Sequence, residues 1–478
     1  MSRPATPEAD RTPPPASAHG AGAALLRPGA RVAAREAVYR AVWRWHFYAG
    51  LLCLPFLILL SATGAIYLFK DEINGTLFAA RTVVAAEATA PLSPDRLIFN
   101  ALETAPDAEA ATFGEPADAT ASAVVTLVEG GRRTLVFLNP YTGDVLDRVA
   151  ADREFMTVVR RLHSLAYFGA VANGVIEVVA GFAIILVATG TYLWWPRCRG
   201  GGVVKIRAGP ARRVWWRDLH AVTGLVADAG IVFLAATGLP WSIVWGAQFR
   251  TWSNAAGLGQ PRALWADRAV SAVPMGERVS TAGWTMQDAP VPLSQRQDPA
   301  VAIGIDRAVA ILHGLGMPAG FEVALPAGGT DVYAAAAYPR AVSRQRLISL
   351  DQYTGKPLVD VRFSDIGGVG RAVQYGIGLH KGELWGRANQ LAMLTFCLAT
   401  ILLSITAAAM WWKRRPAGRL GVPPWPRDRR IAAGVTGVVL GLGLPFPLTG
   451  LVILAMLALD LGIQTLHPRR VACGGRRP

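Results

Sequence analysis

The sequence predicts a mainly α membrane protein in which a span–outer α+β domain–span unit occurs twice, followed by a C-terminal transmembrane element. Three observations lead there. Hydrophobic residues make up 52% of the 478 and charged residues only 17%, a balance typical of chains that face lipid. Five apolar runs are long enough to cross a bilayer, near 43–69, 171–195, 220–246, 388–412 and 431–461. Histidine-centred motifs in the first half recur at matching offsets in the second.

Residues 1–34 are rich in Pro and Ala and lack the apolar core of a signal peptide, so they read as a disordered cytoplasmic tail. Arg35, Arg40 and Arg44 open the first span, 35–69. The polar stretch 70–160 follows; its residues 70–155 carry 14 acids against 7 bases, as suits a translocated domain. The second span, 161–196, ends on Trp194-Trp195, and the loop 197–218 carries seven Arg and Lys residues. Next come the third span, 219–246, a second polar stretch, 247–379, and the fourth span, 380–413, which closes on Trp411-Trp412. The loop 414–430 is again arginine-rich. By the positive-inside rule both basic loops are cytoplasmic and both polar stretches lie outside, with the tryptophan pairs in the interfacial belt. The fifth element, 431–461, contains "GLGLPFPLTG", whose prolines make it either a kinked helix or a hairpin of two short ones; residues 462–478 form a tail.

The net charge of +15 gathers beside the spans. It is therefore a topology signal, and nucleic acid is not an expected partner; the lipid bilayer is. Cys53, Cys198, Cys397 and Cys473 have no C-x-x-C spacing and read as free thiols.

The repeat is specific in its offsets. His46 is followed at +4 by Gly50 and at +17 by Thr63-Gly64; His220 is followed at the same offsets by Gly224 and Thr237-Gly238. His163 is followed at +6 by Gly169 and at +31 by Trp194-Trp195; His380 is followed likewise by Gly386 and Trp411-Trp412. In the polar stretches "LNPYTGDVLD" (138–147) resembles "LDQYTGKPLVD" (350–360), each a strand, a tight turn and a strand. The outer stretches therefore read as two small α+β units, one per repeat, arranged about a pseudo-two-fold axis along the membrane normal.

That axis sets His46 opposite His220 near the cytoplasmic ends of the spans, and His163 opposite His380 near the outer ends. A single histidine at a helix end is most often an interfacial residue. Four of them in two matched pairs suit axial ligation of two b-type haems, each iron taking a neutral imidazole nitrogen on either face. Gly50 and Gly224, one helical turn on, would open the slot for the macrocycle. With both axial positions filled, such a haem carries electrons and has no site for substrate. Zinc or copper would call for further Cys, His or carboxylate ligands, and none recurs in both halves. Asp228 and Glu177 are acids within spans. Each reads either as a proton-relay or quinol-binding group or as a hydrogen-bonded structural acid. No nucleotide or flavin motif is present, so the electron donor is external, a quinol or a cytoplasmic reductase.

The "WHFYAG" and "LHAVTG" span openings, the "LHSLAYFG" and "LHKGELWG" segments, the two "YTG" turns and the "WWPR" and "WWKRR" span ends together resemble the PepSY-associated transmembrane family of bacterial inner-membrane proteins. The resemblance covers nearly all of the chain after residue 35. It implies PepSY-like periplasmic domains at 70–160 and 247–379. It also implies haem ligation by His46, His163, His220 and His380, and a di-haem reductase that frees iron from ferric siderophores. A membrane-anchored binding or regulatory protein, or a metal permease, is the alternative expectation.

Overall fold

The computed structural model describes residues 28–195, 204–207, 209–295, 301–418, 421–423 and 428–466. Most of the expected N-terminal tail, the last residues, Cys198 and Cys473 lie outside that set. Cys53 and Cys397 are buried free thiols.

The chain opens with α1 (Pro28–Leu68), which starts inside the stretch read as tail, so 28–34 are helix. Short helices α2 (Lys70–Thr76) and α3 (Ala79–Thr82) lead to α4 (Pro94–Glu103) and strands β1 (Glu109–Gly114), β2 (Ala123–Glu129), β3 (Arg132–Leu138) and β4 (Val145–Ala150). Helix α5 (Phe155–His163) precedes the long α6 (Ala170–Trp194), and α7 (Arg213–Gly238) runs back. The second polar stretch holds α8 (Trp245–Ala255), β5 (Val270–Pro274), α9 (Met275–Arg278), α10 (Gly283–Met286), β6 (Pro290–Pro292) and α11 (Ile305–Gly314). It continues with β7 (Glu322–Ala324), β8 (Val332–Ala337), β9 (Arg346–Asp351) and β10 (Pro357–Arg362). Helices α12 (Gly368–His380), α13 (Arg387–Arg414), α14 (Arg429–Gly443) and α15 (Pro447–Leu466) complete the described chain.

Four helices are long and apolar enough to span a membrane: Val32–Leu68, Ala170–Trp194, Arg213–Trp241 and Arg387–Arg414. They close into a ring in which α1 packs on α6 and α13, and α7 packs on the same two. Helices α1 and α7 therefore stand on one diagonal, α6 and α13 on the other.

Three expected spans are corrected at their outer ends. Segments 161–196 and 380–413 are not continuous helices, because the chain breaks just after His163 and His380. Leu165 (φ 53) and Gly169 (φ 97) interrupt the first; Gly382 (φ 70), Trp385 (φ 56) and Gly386 (φ 60) interrupt the second. Left-handed residues cannot continue a right-handed helix. The third span ends at Trp241 instead of 246: its α-helix stops at Gly238, two residues before Pro240, and one 3-10 turn carries it on to Trp241.

The fifth element is a hairpin. Pro447 sits at the first position of α15, where its fixed φ fits. The two helices approach closely at glycines: a side chain on Gly443 would meet Ile453 Cδ1 at 2.7 Å. Helix α15 runs back alongside α14, since Arg44 of α1 binds Asp460 of α15 while the next residue, Trp45, donates to Thr436 midway along α14. The hairpin packs chiefly on α1 and α6, around Cys53, Phe182, Ile185, Val439 and Ile453.

The outer stretches do not make two separate units. They share one eight-stranded antiparallel sheet in the order β10-β9-β8-β7-β1-β2-β3-β4. The junction is β1 with β7, in register Thr112↔Ala324, Phe113↔Val323 and Gly114↔Glu322. Either meander alone would leave an open edge strand, and the junction pairs both edges with each other. Helices α4 and α11 lie together over this seam, and one core runs through both stretches, with Leu127, Leu312, Phe321 and Ile348 fully buried. Each such side chain contributes about 1.5–3 kcal/mol. The two YTG turns close hairpins at Gly143 (φ 78) and Gly355 (φ 69). Glycine is required there for space as well as φ: a side chain would strike Asn100 at the first and Ile311 at the second.

Candidate functional site

The ring of helices places the four histidines in pairs. His46 on α1 and His220 on α7 face across a diagonal, with ring centroids 6.5 Å apart and planes at 84°. At the sheet end, His163 closes α5 and His380 closes α12; their centroids are 6.3 Å apart and their planes at 89°. Helix α5 packs on α1, and α12 packs on α7. The same diagonal thus carries both pairs. Their separation follows from α1: Thr63, which touches His163, lies 17 residues after His46, a rise of about 25 Å. All four histidines are half-buried residues of the bundle.

Each ring is held by a threonine from a neighbouring helix. His46 Nδ1 lies 2.9 Å from Thr189 Oγ1 of α6. His220 Nδ1 lies 2.9 Å from Thr406 Oγ1 of α13. His163 Nδ1 lies 3.0 Å from Thr63 Oγ1, and His380 Nδ1 lies 2.8 Å from Thr237 Oγ1. A hydroxyl has one proton to give, and each threonine spends it on a backbone carbonyl of its own helix. Thr63 donates to Leu59 at 2.6 Å, Thr189 to Ile185 at 2.6 Å, Thr237 to Phe233 at 2.7 Å and Thr406 to Leu403 at 2.9 Å. Toward histidine each threonine is therefore an acceptor, so Nδ1 carries the ring proton. The tautomer follows from the network: Nε2 holds the lone pair on all four rings.

Gly50 and Gly224 do not touch the imidazoles themselves. A side chain on Gly50 would meet only Leu186, at 3.8 Å, and one on Gly224 only Leu403, at 3.7 Å, both ordinary contacts. The glycines against the imidazoles are those that follow the threonines. A side chain on Gly190 would lie 3.2 Å from His46 Cε1, on Gly64 3.4 Å from His163 Cε1, and on Gly238 3.8 Å from His380 Cε1. Thr189 and Thr406 were missed altogether. A signal existed for the first: Ala-Thr-Gly occurs at 62–64, 188–190 and 236–238.

The two acids sit elsewhere. Glu177 of α6 is fully buried, and its Oε2 accepts from Val244 N at 3.2 Å and Trp245 N at 2.9 Å, at the start of α8. It thereby fixes the chain just past Thr237-Gly238, using a carboxylate where the helix presents free N–H groups. Asp228 of α7 accepts from Thr191 Oγ1 of α6 at 2.9 Å.

Ion pairs hold the sheet end of the bundle. Glu383, in the loop after His380, binds Lys70 and Lys381, both at 2.9 Å. Burial pushes its carboxyl up, but the two lysines outweigh that and hold it below the ordinary glutamate value. Arg340 pairs with Asp71 and Arg387 with Glu72, tying the same loop and the sheet domain to α2. Among the described residues, no three His, Cys, Asp or Glu side chains converge as a metal cluster would require.

A search among curated proteins finds no match. The model of the PepSY-associated TM region matches residues 43–414, which take in all four histidines, their threonines and the whole sheet domain. A match over that much of the chain, carried by a four-helix membrane bundle with an antiparallel sheet domain between its spans, makes this protein a member of the PepSY-associated transmembrane family.

Proposed function

We propose that this protein is a multi-pass protein of the bacterial inner membrane that holds two b-type haems and passes electrons through the bilayer to a ferric siderophore, releasing Fe(II). The observation that carries this reading is the geometry of the two histidine pairs. An imidazole nitrogen binds a transition metal at about 2 Å, and with its centroid about 1 Å further back, one iron between two axial rings sets the centroids roughly 6 Å apart. The pairs stand at 6.5 and 6.3 Å. Each imidazole has Nδ1 engaged and Nε2 bearing its lone pair, the form a metal needs. All four histidines stand half-buried on one diagonal of the bundle, where a flat group would lie between α1 and α7.

A haem bound at each pair would supply a one-electron iron centre. The chain supplies the rest. His46 and His220 hold the first site, and His163 and His380 hold the second. The threonines fix ring orientation and make each imidazole a better donor by accepting its Nδ1 proton. The basic loops face the cytoplasm, so the sheet domain is periplasmic. The acceptor is held on that side, near the segments that follow His163 and His380. Reduction of the acceptor's Fe(III) to Fe(II) weakens its hold on hard oxygen ligands, and the metal leaves. The matched offsets and the sheet, which reads alike from either side of the β1–β7 seam, support a duplicated span–domain–span unit as the origin of both sites.

The test is the visible spectrum of the purified protein. It should show reduced b-type bands at two haems per chain, and a ferric siderophore should reoxidise the dithionite-reduced protein. Replacing His46 with Ala should remove one haem and spare the other. A colourless protein would instead favour a membrane-anchored binding or regulatory role, or a metal permease. Loss of both haems, or of neither, in His46→Ala would contradict the pairing.

A further inference from the structure

The geometry points to a hydroquinone site at Asp228 and Thr191, in the seam between α6 and α7. This deepens the reading above by naming the electron donor, and it rests on that reading.

A carboxylate inside the bilayer is costly and demands a reason. Asp228 is only half-buried, and among the described residues Thr191 alone is seen to hydrogen-bond it, through one carboxylate oxygen. No ion pair holds it among those residues, unlike Asp218, Asp460 or Glu383. Glu177, the other acid read within the spans, accepts both backbone donors on Oε2 and leaves Oε1 unpartnered among the described residues, but it is fully buried and so closed to a molecule arriving from lipid. Asp228 therefore keeps accepting capacity that the fold does not use.

Its surroundings decide the ligand class. Leu225 and Val226, within one turn of it on α7, are 42% and 61% exposed, and Tyr192, next to Thr191, is 37% exposed. The seam thus opens toward lipid, and what reaches it must be lipid-soluble. It also lies beside the His46/His220 pair. Asp228 is eight residues after His220 on the same helix, a rise of about 12 Å. Thr191 is two residues after Thr189, which holds His46. A lipid-soluble molecule that meets a proton acceptor next to an electron-accepting site is a hydroquinone.

The chemistry balances. The hydroquinone becomes a quinone, losing two electrons and two protons. The two haem irons that the histidine pairs would hold would each accept one electron. The first phenolic proton goes to the Asp228 carboxylate, which passes it to water on the basic-loop side and then takes the second. Thr191, donating to the other carboxylate oxygen, holds the acid in place and is a positioning residue.

The experiment uses the full chain in lipid nanodiscs, with decylubiquinone and decylubiquinol as probes. Decylubiquinone binding is read by equilibrium dialysis, which needs no haem. Asp228→Asn, which preserves shape and the Thr191 contact, should weaken binding at least tenfold. Asp228→Glu should recover most of it, and Thr191→Val should fall between. Decylubiquinol should reduce the wild type at least tenfold faster than Asp228→Asn, while dithionite reduces both alike. Equal binding and equal rates in Asp228→Asn, or a wild type that binds no quinone, would overturn the site. A colourless preparation that still binds quinone through Asp228 would sink the di-haem reading and leave the binding site standing.

Discussion

At each of the four histidines a ring nitrogen is chosen by a neighbour, and that choice has a measurable effect. The Thr63 hydroxyl donates to Leu59 O and so accepts from His163 Nδ1. Thr63→Val keeps the shape and removes the acceptor. The imidazole would then lose its orienting partner and part of its basicity. Losses of this kind typically weaken metal binding about 10–100-fold. Haem titration into the purified apoprotein should show one weakened site and one unchanged, with Thr63→Ser restoring the first. Equal affinity at both sites in Thr63→Val would remove the threonine from the account. The histidines were legible in the sequence because their spacing recurs. Thr406 was not, since its local sequence, Ile-Thr-Ala, lacks the glycine that follows the other three.

Among the elements, the hairpin of α14 and α15 falls outside the residues that match the family. One cluster locks it to α1. Arg44, 7% exposed, binds Asp460 at 2.6 Å and Tyr48 at 2.6 Å, and also donates to Pro423 O. Asp460→Ala would strip a buried guanidinium of its countercharge, a change that costs about 3–5 kcal/mol. The expected outcome is a lower thermal midpoint and early proteolytic loss of the hairpin, with the sheet domain intact. An unchanged midpoint would show that the pair is not what holds it. That this element would bend was readable in "GLGLPFPLTG", because proline stops helices by covalent geometry. The breaks after His163 and His380 were not readable. They turn on Leu165 and Trp385 in left-handed backbone, which neither residue type favours. Their loops are held instead by tertiary contacts such as Lys70 with Glu383.

At the scale of the whole molecule, the fused sheet was invisible in the sequence for a related reason. Strands β1 and β7 lie far apart in the chain, and nothing in either one names its partner; only their shared need to close an edge does so. Their union matters because it ties the two histidine-bearing arms, α5 and α12, to one continuous sheet. The histidine pairs at the sheet end and at the basic-loop end then stand about 25 Å apart along α1, with the four-helix ring between them. On the di-haem reading this is a directional path, and neither site can bypass the other. Protein in liposomes, reduced from the basic-loop side by an impermeant donor, should reduce a ferric siderophore confined to the sheet side. His220→Ala and His380→Ala should each stop transfer while leaving the other haem's bands in place, because a path with one centre missing conducts no better than one with none. Transfer that persists at the wild-type rate in either variant would mean that the two sites do not act in series.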